Sequence, residues 1–192
     1  FHAASLGEFE QGRPLIERIR KEHPEYRILQ TFFSPSGYEV RKNYQGADIV
    51  CYLPFDTPRN VRCFIEMVNP CMVFFIKYEF WQNYLNTLYK KGIPVYSVSS
   101  IFRPNQIFFR WYGKDYRKVL KTFSHLFVQN EVSEKLLASI GVTDVTIVGD
   151  TRFDRVLDIC TVAKDLPLVK AFKGNSKTFV AGSSWGPDED IF

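Results

Sequence analysis

Two glutamates hold the positions from which acid-base chemistry is most readily done. Glu8 follows the apolar run Phe1 to Ser5 and stands at the start of an amphipathic stretch. There the helix macrodipole would keep a carboxylate ionised and able to accept a proton. Gly7 before it suits a tight turn. Glu79 follows the very apolar run Met72 to Ile76 and precedes an apolar stripe that begins near Trp81. A carboxylate beside Phe80 and Trp81 is costly to bury unless it is paired, and Lys77 is the nearest candidate partner. Each acid equally fits a plainer role, that of a first-turn residue stabilising its helix. Ser34-Pro35-Ser36-Gly37 offers two hydroxyls and free N–H groups at a helix start, which suits a phosphate or a sugar hydroxyl. A serine cap with proline in the first turn explains the same residues.

A second candidate surface is basic and aromatic. Between Arg103 and Lys121 stand Arg103, Arg110, Lys114, Arg117, Lys118 and Lys121 against the single acid Asp115, a net of +5 where the whole chain carries +4. Phe102, Phe108, Phe109, Trp111, Tyr112, Tyr116 and Phe123 interleave with them. Aromatic insertion with basic contacts fits an anionic membrane surface, for which Arg110, Trp111, Lys114, Arg117 and Lys118 are the membrane-facing candidates. A core helix with a solvated basic face has the same composition.

Other chemistries lose their support. The overall charge is too small to imply nucleic-acid binding. Four cysteines form no C-x-x-C pair, and three lie in apolar or helical runs that suggest the core. His2, His23 and His125 are far apart in sequence, so no protein-built metal site is expected, and no cofactor either. Neither a G-x-G-x-x-G turn nor a G-x-x-x-x-G-K-[ST] loop is present.

The elements that must position these residues follow from the hydropathy pattern of the 192 residues, of which 45% are hydrophobic. Candidate strands are Phe1 to Ser5, Ile28 to Phe33, Ile49 to Leu53, Met72 to Ile76, Val95 to Val98, Leu126 to Val128, Val145 to Val148 and Phe179 to Ala181. Between them, Val61, Phe64, Ile65 and Val68, and again Trp81, Tyr84, Leu85 and Leu88, fall at i, i+3, i+4 and i+7, one helical stripe each. Alternation of this kind predicts an α/β fold, a Rossmann-like doubly wound parallel sheet. Ligands then bind outside the carboxyl ends of the strands, and all the candidate turns share that rim. The sequence opens on a strand already under way and ends on one just begun, so it reads as a segment of a longer protein. The expected division is a Rossmann-like domain over 1–163, a connection over 164–177 and the start of a second domain over 178–192.

Taken in order, the turn motifs resemble those of the 3-deoxy-D-manno-octulosonic acid (Kdo) transferases. The family's H-A-x-S-x-G-E is matched by His2-Ala3-Ala4-Ser5-Leu6-Gly7-Glu8, and its T-x-x-T-P-T-G by Thr31-Phe32-Phe33-Ser34-Pro35-Ser36-Gly37 with serine for threonine. Tyr52-Leu53-Pro54-Phe55-Asp56 matches Y-L-P-[YF]-D, Glu79-Phe80-Trp81-Gln82-Asn83 resembles E-L-W-P-N, and Gly149-Asp150-Thr151-Arg152-Phe153-Asp154 resembles G-N-x-K-[FY]-D. The family's N-x-R-x-S after the fifth strand has no match, and Trp185 stands where the family's S-T-H-E-G-E-E has its histidine.

The resemblance implies the N-terminal domain of a GT-B glycosyltransferase that moves Kdo, with inversion, from CMP-Kdo to the lipid A precursor in lipopolysaccharide biosynthesis. It makes Glu8 the general base and Glu79 a second essential acid. Ser5, Gly7, Ser34, Ser36 and Gly37 become acceptor-binding, and Ser183 and Ser184 donor-binding. It places the protein at the cytoplasmic face of the bacterial inner membrane, anchored by a segment ahead of residue 1. The isolated segment would be inactive. Two other readings remain: a GT-B transferase or epimerase using a UDP-sugar, and a non-catalytic lipid-binding module.

Overall fold

The computed structural model describes residues 1–161 and 165–191. The chain divides into two compact units, Phe1–Asp158 and Ile159–Phe192. In chain order the elements are β1 (His2–Ala3), α1 (Leu6–Glu22), β2 (Leu29–Phe32), α2 (Pro35–Arg41), β3 (Ile49–Tyr52), α3 (Pro58–Val68), β4 (Val73–Ile76) and α4 (Gln82–Lys90). There follow β5 (Val95–Ser100), a 3₁₀ turn (Ile107–Phe109), α5 (Lys114–Leu120), β6 (His125–Val128), α6 (Glu131–Ser139), β7 (Val145–Ile147) and α7 (Arg152–Thr161). The second unit holds α8 (Pro167–Lys173) and α9 (Gly186–Glu189).

All seven strands of the first unit pair in parallel, in the order β3-β2-β1-β4-β5-β6-β7. The expected doubly wound fold is therefore present, and the order reverses between β1 and β4. Two apolar layers sandwich the sheet. Phe75 and Ile76 are neighbours on β4 that point to opposite faces. Phe75 packs with Val61, Ile65, Leu85 and Leu88, and Ile76 with Phe9, Ile16 and Phe32. Full burial of each such side chain contributes roughly 1.5–3 kcal/mol. Both helical stripes face inward as their spacing predicts, with Val61, Ile65, Tyr84, Leu85 and Leu88 buried.

Gly12 and Gly37 are among the glycines set by close packing. A Cβ on Gly12 would lie 2.9 Å from the Ile76 side chain, where α1 presses on β4. One on Gly37 would lie 2.3 Å from the Phe32 ring, where α2 folds back onto its own strand.

Two expectations are corrected. The cysteines are not core: Cys51 is half-buried on the edge strand β3, and Cys63, Cys71 and Cys160 are exposed. Cys63 lies between Val61 and Ile65, and two residues along a helix point to nearly opposite sides. The run Phe179 to Ala181 is no strand; it is irregular, with Phe179 and Val180 exposed. A strand forms only against a neighbour, and the described residues of the second unit supply none. The stretch read as a connection contains α8, started by Pro167 in its first turn, while its first residue, Lys164, lies outside the described residues, as does the expected boundary after residue 163.

Candidate active site

The carboxyl edge where β1 meets β4 collects the motifs that sequence spacing had kept far apart. Ser5 caps α1, and its backbone N–H donates to Glu8 Oε2 at 3.0 Å. That bond fixes the Glu8 carboxylate over the first turn of its own helix. Gly7 is helical, and a Cβ there would meet nothing within 4 Å, so its part is not a tight turn. It leaves open space at the rim beside Glu8.

Glu79 approaches from the turn after β4. It finds its partners in Trp81 and His2: Trp81 Nε1 donates to Glu79 Oε2, and His2 Nε2 lies 3.4 Å from the same oxygen. The Lys77 ammonium instead sits 5.9 Å above the Tyr78 ring. Lys77 has the left-handed φ of 65°, and Ser99 at the end of the neighbouring β5 has 58°. Such residues cost of order 1–3 kcal/mol and persist only where surrounding structure holds them.

Electrostatics couple the two acids. Partial burial raises the proton affinity of Glu8, and the nearby charge of Glu79 raises it further; the Ser5 N–H and, more weakly, Lys77 oppose both. Burial holds His2 below the usual histidine range despite Glu79, and so keeps it neutral.

Ser34 and Ser36 lie on the same edge, after β2. Ser34 Oγ accepts from the Ser36 N–H at 3.3 Å and lies 2.9 Å from Ser36 Oγ, while the Ser34 N–H donates to Ala4 O at 2.7 Å. Ser34 therefore caps α2, and the loops after β1 and β2 are tied together. Gly37 is buried one turn on.

Sequence reasoning missed three structural supports. Asp56, from the turn after β3, caps α4 by accepting from the Asn83 and Tyr84 N–H groups at 3.1 Å each. Thus the second half of the Glu79 motif is held by the motif before it. Ser99, fully buried, accepts from Gln129 Nε2 at 3.0 Å and from Thr151 Oγ1 at 3.2 Å, joining the ends of β5, β6 and β7. In the sequence His2 stands as an isolated histidine and as the first residue of a motif, with no partner in view. The signal lay in the topology, since residues on β1 and β4 must be neighbours in a 3-2-1-4 sheet.

The other candidates lie elsewhere. Ser183 and Ser184 belong to the second unit, where Ser184 Oγ donates to Glu189 Oε1 at 3.0 Å. In the basic segment the aromatics split: Phe102, Phe108 and Phe123 are buried in the core, whereas Trp111 is 88% exposed and Tyr112 and Tyr116 are exposed with it. Arg110, Lys114 and Lys118 face solvent, Lys118 pairing with Asp115 at 2.7 Å. Arg117 is turned inward, donating from Nε to Phe108 O at 2.7 Å and from a terminal nitrogen to Arg110 O at 2.8 Å. A cavity of about 910 Å³ opens at the opposite edge of the sheet, lined chiefly by apolar residues such as Phe1, Leu29, Ile49, Phe64 and Met72. Among the described residues no helix is long and apolar enough to cross a membrane, and no three His, Cys, Asp or Glu side chains cluster to hold a metal.

A parallel sheet whose polar edge gathers two carboxylates at the reversal point defines a Rossmann-like, doubly wound α/β domain with its candidate site at the topological switch point. Solved structures of the same fold include the UDP-GlcNAc 2-epimerase of Neisseria meningitidis, with a TM-score of 0.61 at 15% identity over 91% of this chain and 52% of that one. That of Methanocaldococcus jannaschii has a TM-score of 0.61 at 18% identity over 93% and 52%. At such identities the likeness is one of fold. The chain belongs to the 3-deoxy-D-manno-octulosonic-acid transferase (kdotransferase) family, which it matches over residues 1–155. The 3-deoxy-D-manno-octulosonic acid transferase of Haemophilus influenzae is 26% identical over 99% of this chain and 45% of its own length. That of Aquifex aeolicus is 28% identical over 95% and 45%. The chain thus spans less than half the length of these relatives.

Proposed function

We propose that this chain is the acceptor-binding half of an inverting glycosyltransferase that moves Kdo from CMP-Kdo to a lipid A precursor. The observation that carries the reading is the juxtaposition of Glu8 and Glu79 on an open rim, with Glu8 made more basic by burial and by its neighbour. In the reaction, an acceptor hydroxyl gives its proton to Glu8 as its oxygen forms a bond to the anomeric carbon. The bond from that carbon to the CMP phosphate oxygen breaks, and the phosphate leaves with the electron pair. Glu8 needs to be ionised beforehand, which its position in the first turn of α1 favours. The space left beside Gly7 and the hydroxyls of Ser5, Ser34 and Ser36 suit the polar sugar that carries the attacking hydroxyl. Ser183 and Ser184 are assigned to the donor, together with groups outside this chain. The division at 163, 164–177 and 178 is kept as part of this proposal.

The acceptor is anionic at its phosphates and apolar at its acyl chains, so the enzyme works at a bilayer surface, here taken as the cytoplasmic face of the inner membrane. Trp111 and Tyr112, with Arg110, Lys114 and Lys118 around them, supply the contact. Each basic residue near an anionic surface contributes about 1 kcal/mol. The deciding experiment is an assay of the whole protein with CMP-Kdo, and in parallel with UDP-sugars, on lipid A precursor. Transfer from CMP-Kdo alone supports the reading; transfer from a UDP-sugar, or none from either, overturns it.

A further inference from the structure

His2 is 2% exposed and lies on β1 between β2 and β4, and each of its ring nitrogens faces one polar side chain. Nδ1 is 2.9 Å from Thr31 Oγ1, and Nε2 faces Glu79 at 3.4 Å with no other partner among the described residues. The Thr31 hydroxyl carries a single proton and has two acceptors in reach, His2 Nδ1 and, at 3.1 Å, Phe1 O. Phe1 O already receives the Thr31 backbone N–H at 2.9 Å. If the hydroxyl donated to Phe1 O, His2 would carry its proton on Nδ1, and a bare Nε2 lone pair would face the acceptor oxygen Oε2 of Glu79. If it donates to Nδ1, the proton of a neutral imidazole sits on Nε2 and points at Glu79. The second arrangement satisfies every polar group, and it needs no buried imidazolium, which the surroundings disfavour.

We infer that His2 is a positioning residue: fixed by Thr31 in the Nε2–H tautomer, it donates to Glu79 Oε2 and, with Trp81 Nε1 on the same oxygen, sets where that carboxylate stands relative to Glu8. Around Glu79 stand His2 from β1, Glu8 from α1 and Trp81 from its own turn, while Lys77 at the end of β4 acts on Glu8. Two donors converge on one Glu79 oxygen, so its charge is held on the rim rather than shared with Lys77. The consequence for catalysis, which rests on the transfer reading above, is that His2 acts on the reaction through Glu79 and touches no substrate. The contact itself is independent of that reading.

The test uses the whole protein with ¹⁵N-labelled histidine. The His2 signals, identified by their loss in His2→Gln, should be those of the neutral Nε2–H tautomer from pH 6 to pH 8. Thr31→Ser should keep that tautomer and Thr31→Val should lose it. In steady-state assays His2→Leu should lower kcat by between about tenfold and a hundredfold at nearly constant KM, as expected of a misplaced reacting group. His2→Gln, whose amide N–H reaches roughly where Nε2 does, should recover most of the loss. An Nδ1–H tautomer or an imidazolium would overturn the inference, and so would equal losses of kcat in the two His2 variants with matching falls in melting temperature. Should wild type transfer no Kdo while the tautomer and the Thr31 series behave as described, the transfer reading fails and the positioning contact stands.

Discussion

The rim at β1 and β4 and the basic segment between β5 and β6 are both polar surfaces with aromatic neighbours, yet they are built in opposite ways. The rim is assembled from residues far apart in sequence: His2, Glu8, Thr31 and Glu79 meet because parallel strands bring their carboxyl ends to one edge. Its groups are partly or fully buried, and each is held by a specific partner. The basic segment is local. Its inner half, Phe102, Phe108, Arg117 and Phe123, is core and scaffold, and its outer half, Trp111, Lys114 and Lys118, is solvated. Function at the rim therefore depends on geometry, whereas any function of the segment depends on charge and exposed aromatic area.

That contrast sets the expected effects. The largest belongs to Glu8. On the proposed reading Glu8 is the general base, a role worth roughly 10²- to 10⁴-fold, so Glu8→Gln in the whole protein should cut turnover of the proposed donor CMP-Kdo by about that much without loss of folding. A fold lost with the activity would make Glu8 a capping residue only. Next is Gly37→Ala, where the new Cβ meets the Phe32 ring; overpacking of this kind costs about 1–3 kcal/mol and should appear in thermal unfolding.

Within the basic segment, Arg117→Ala should lower the melting temperature, since it strips Phe108 O and Arg110 O of a charged donor, a loss of roughly 1.5–3 kcal/mol. Changing Arg110, Lys114 and Lys118 together to Ala should leave stability within about 0.5 kcal/mol. The same triple variant should bind anionic vesicles less than wild type in low salt, and the difference should fade in high salt. Equal sedimentation of the two proteins would return the outer half to a plain solvated face.

The smallest effect concerns pH. Burial and Glu79 raise Glu8 above its unfolded pKa, so ionising it in the folded state works against folding. Its favourable contribution is full below the ordinary glutamate range near ~4.3 and is lost as pH rises through the folded value. Glu8→Gln should accordingly gain slightly in melting temperature over wild type at neutral pH and lose that gain in acid. The acid limb of kcat/KM should lie above the ordinary glutamate range and move down in Glu79→Gln.

Much of this was legible in the sequence. The alternation of apolar runs with 3.6-period stripes gave seven of the eight expected strands in the right places, because a strand or helix must bury its apolar face whatever its neighbours. The eighth, Phe179 to Ala181, has the composition of a strand but no strand among the described residues of its unit to pair with. The cysteines were misjudged for a related reason: an apolar stretch marks an element, but which of its residues face inward depends on the element's rotation against the sheet.

Sequence by itself determined the strand and helix pattern, the parallel class of the sheet and the edge on which Glu8 and Glu79 must lie. These follow from periodicity and from the handedness of crossovers, which are local or nearly universal. Only the tertiary structure decided that Glu79 is held by His2 and Trp81 rather than by Lys77, that Asp56 caps α4 and that Arg117 faces inward. Those outcomes rest on hydrogen-bond geometry across strands and turns up to 77 residues apart, as between His2 and Glu79, where a shift of one residue in register would exchange one partner for another.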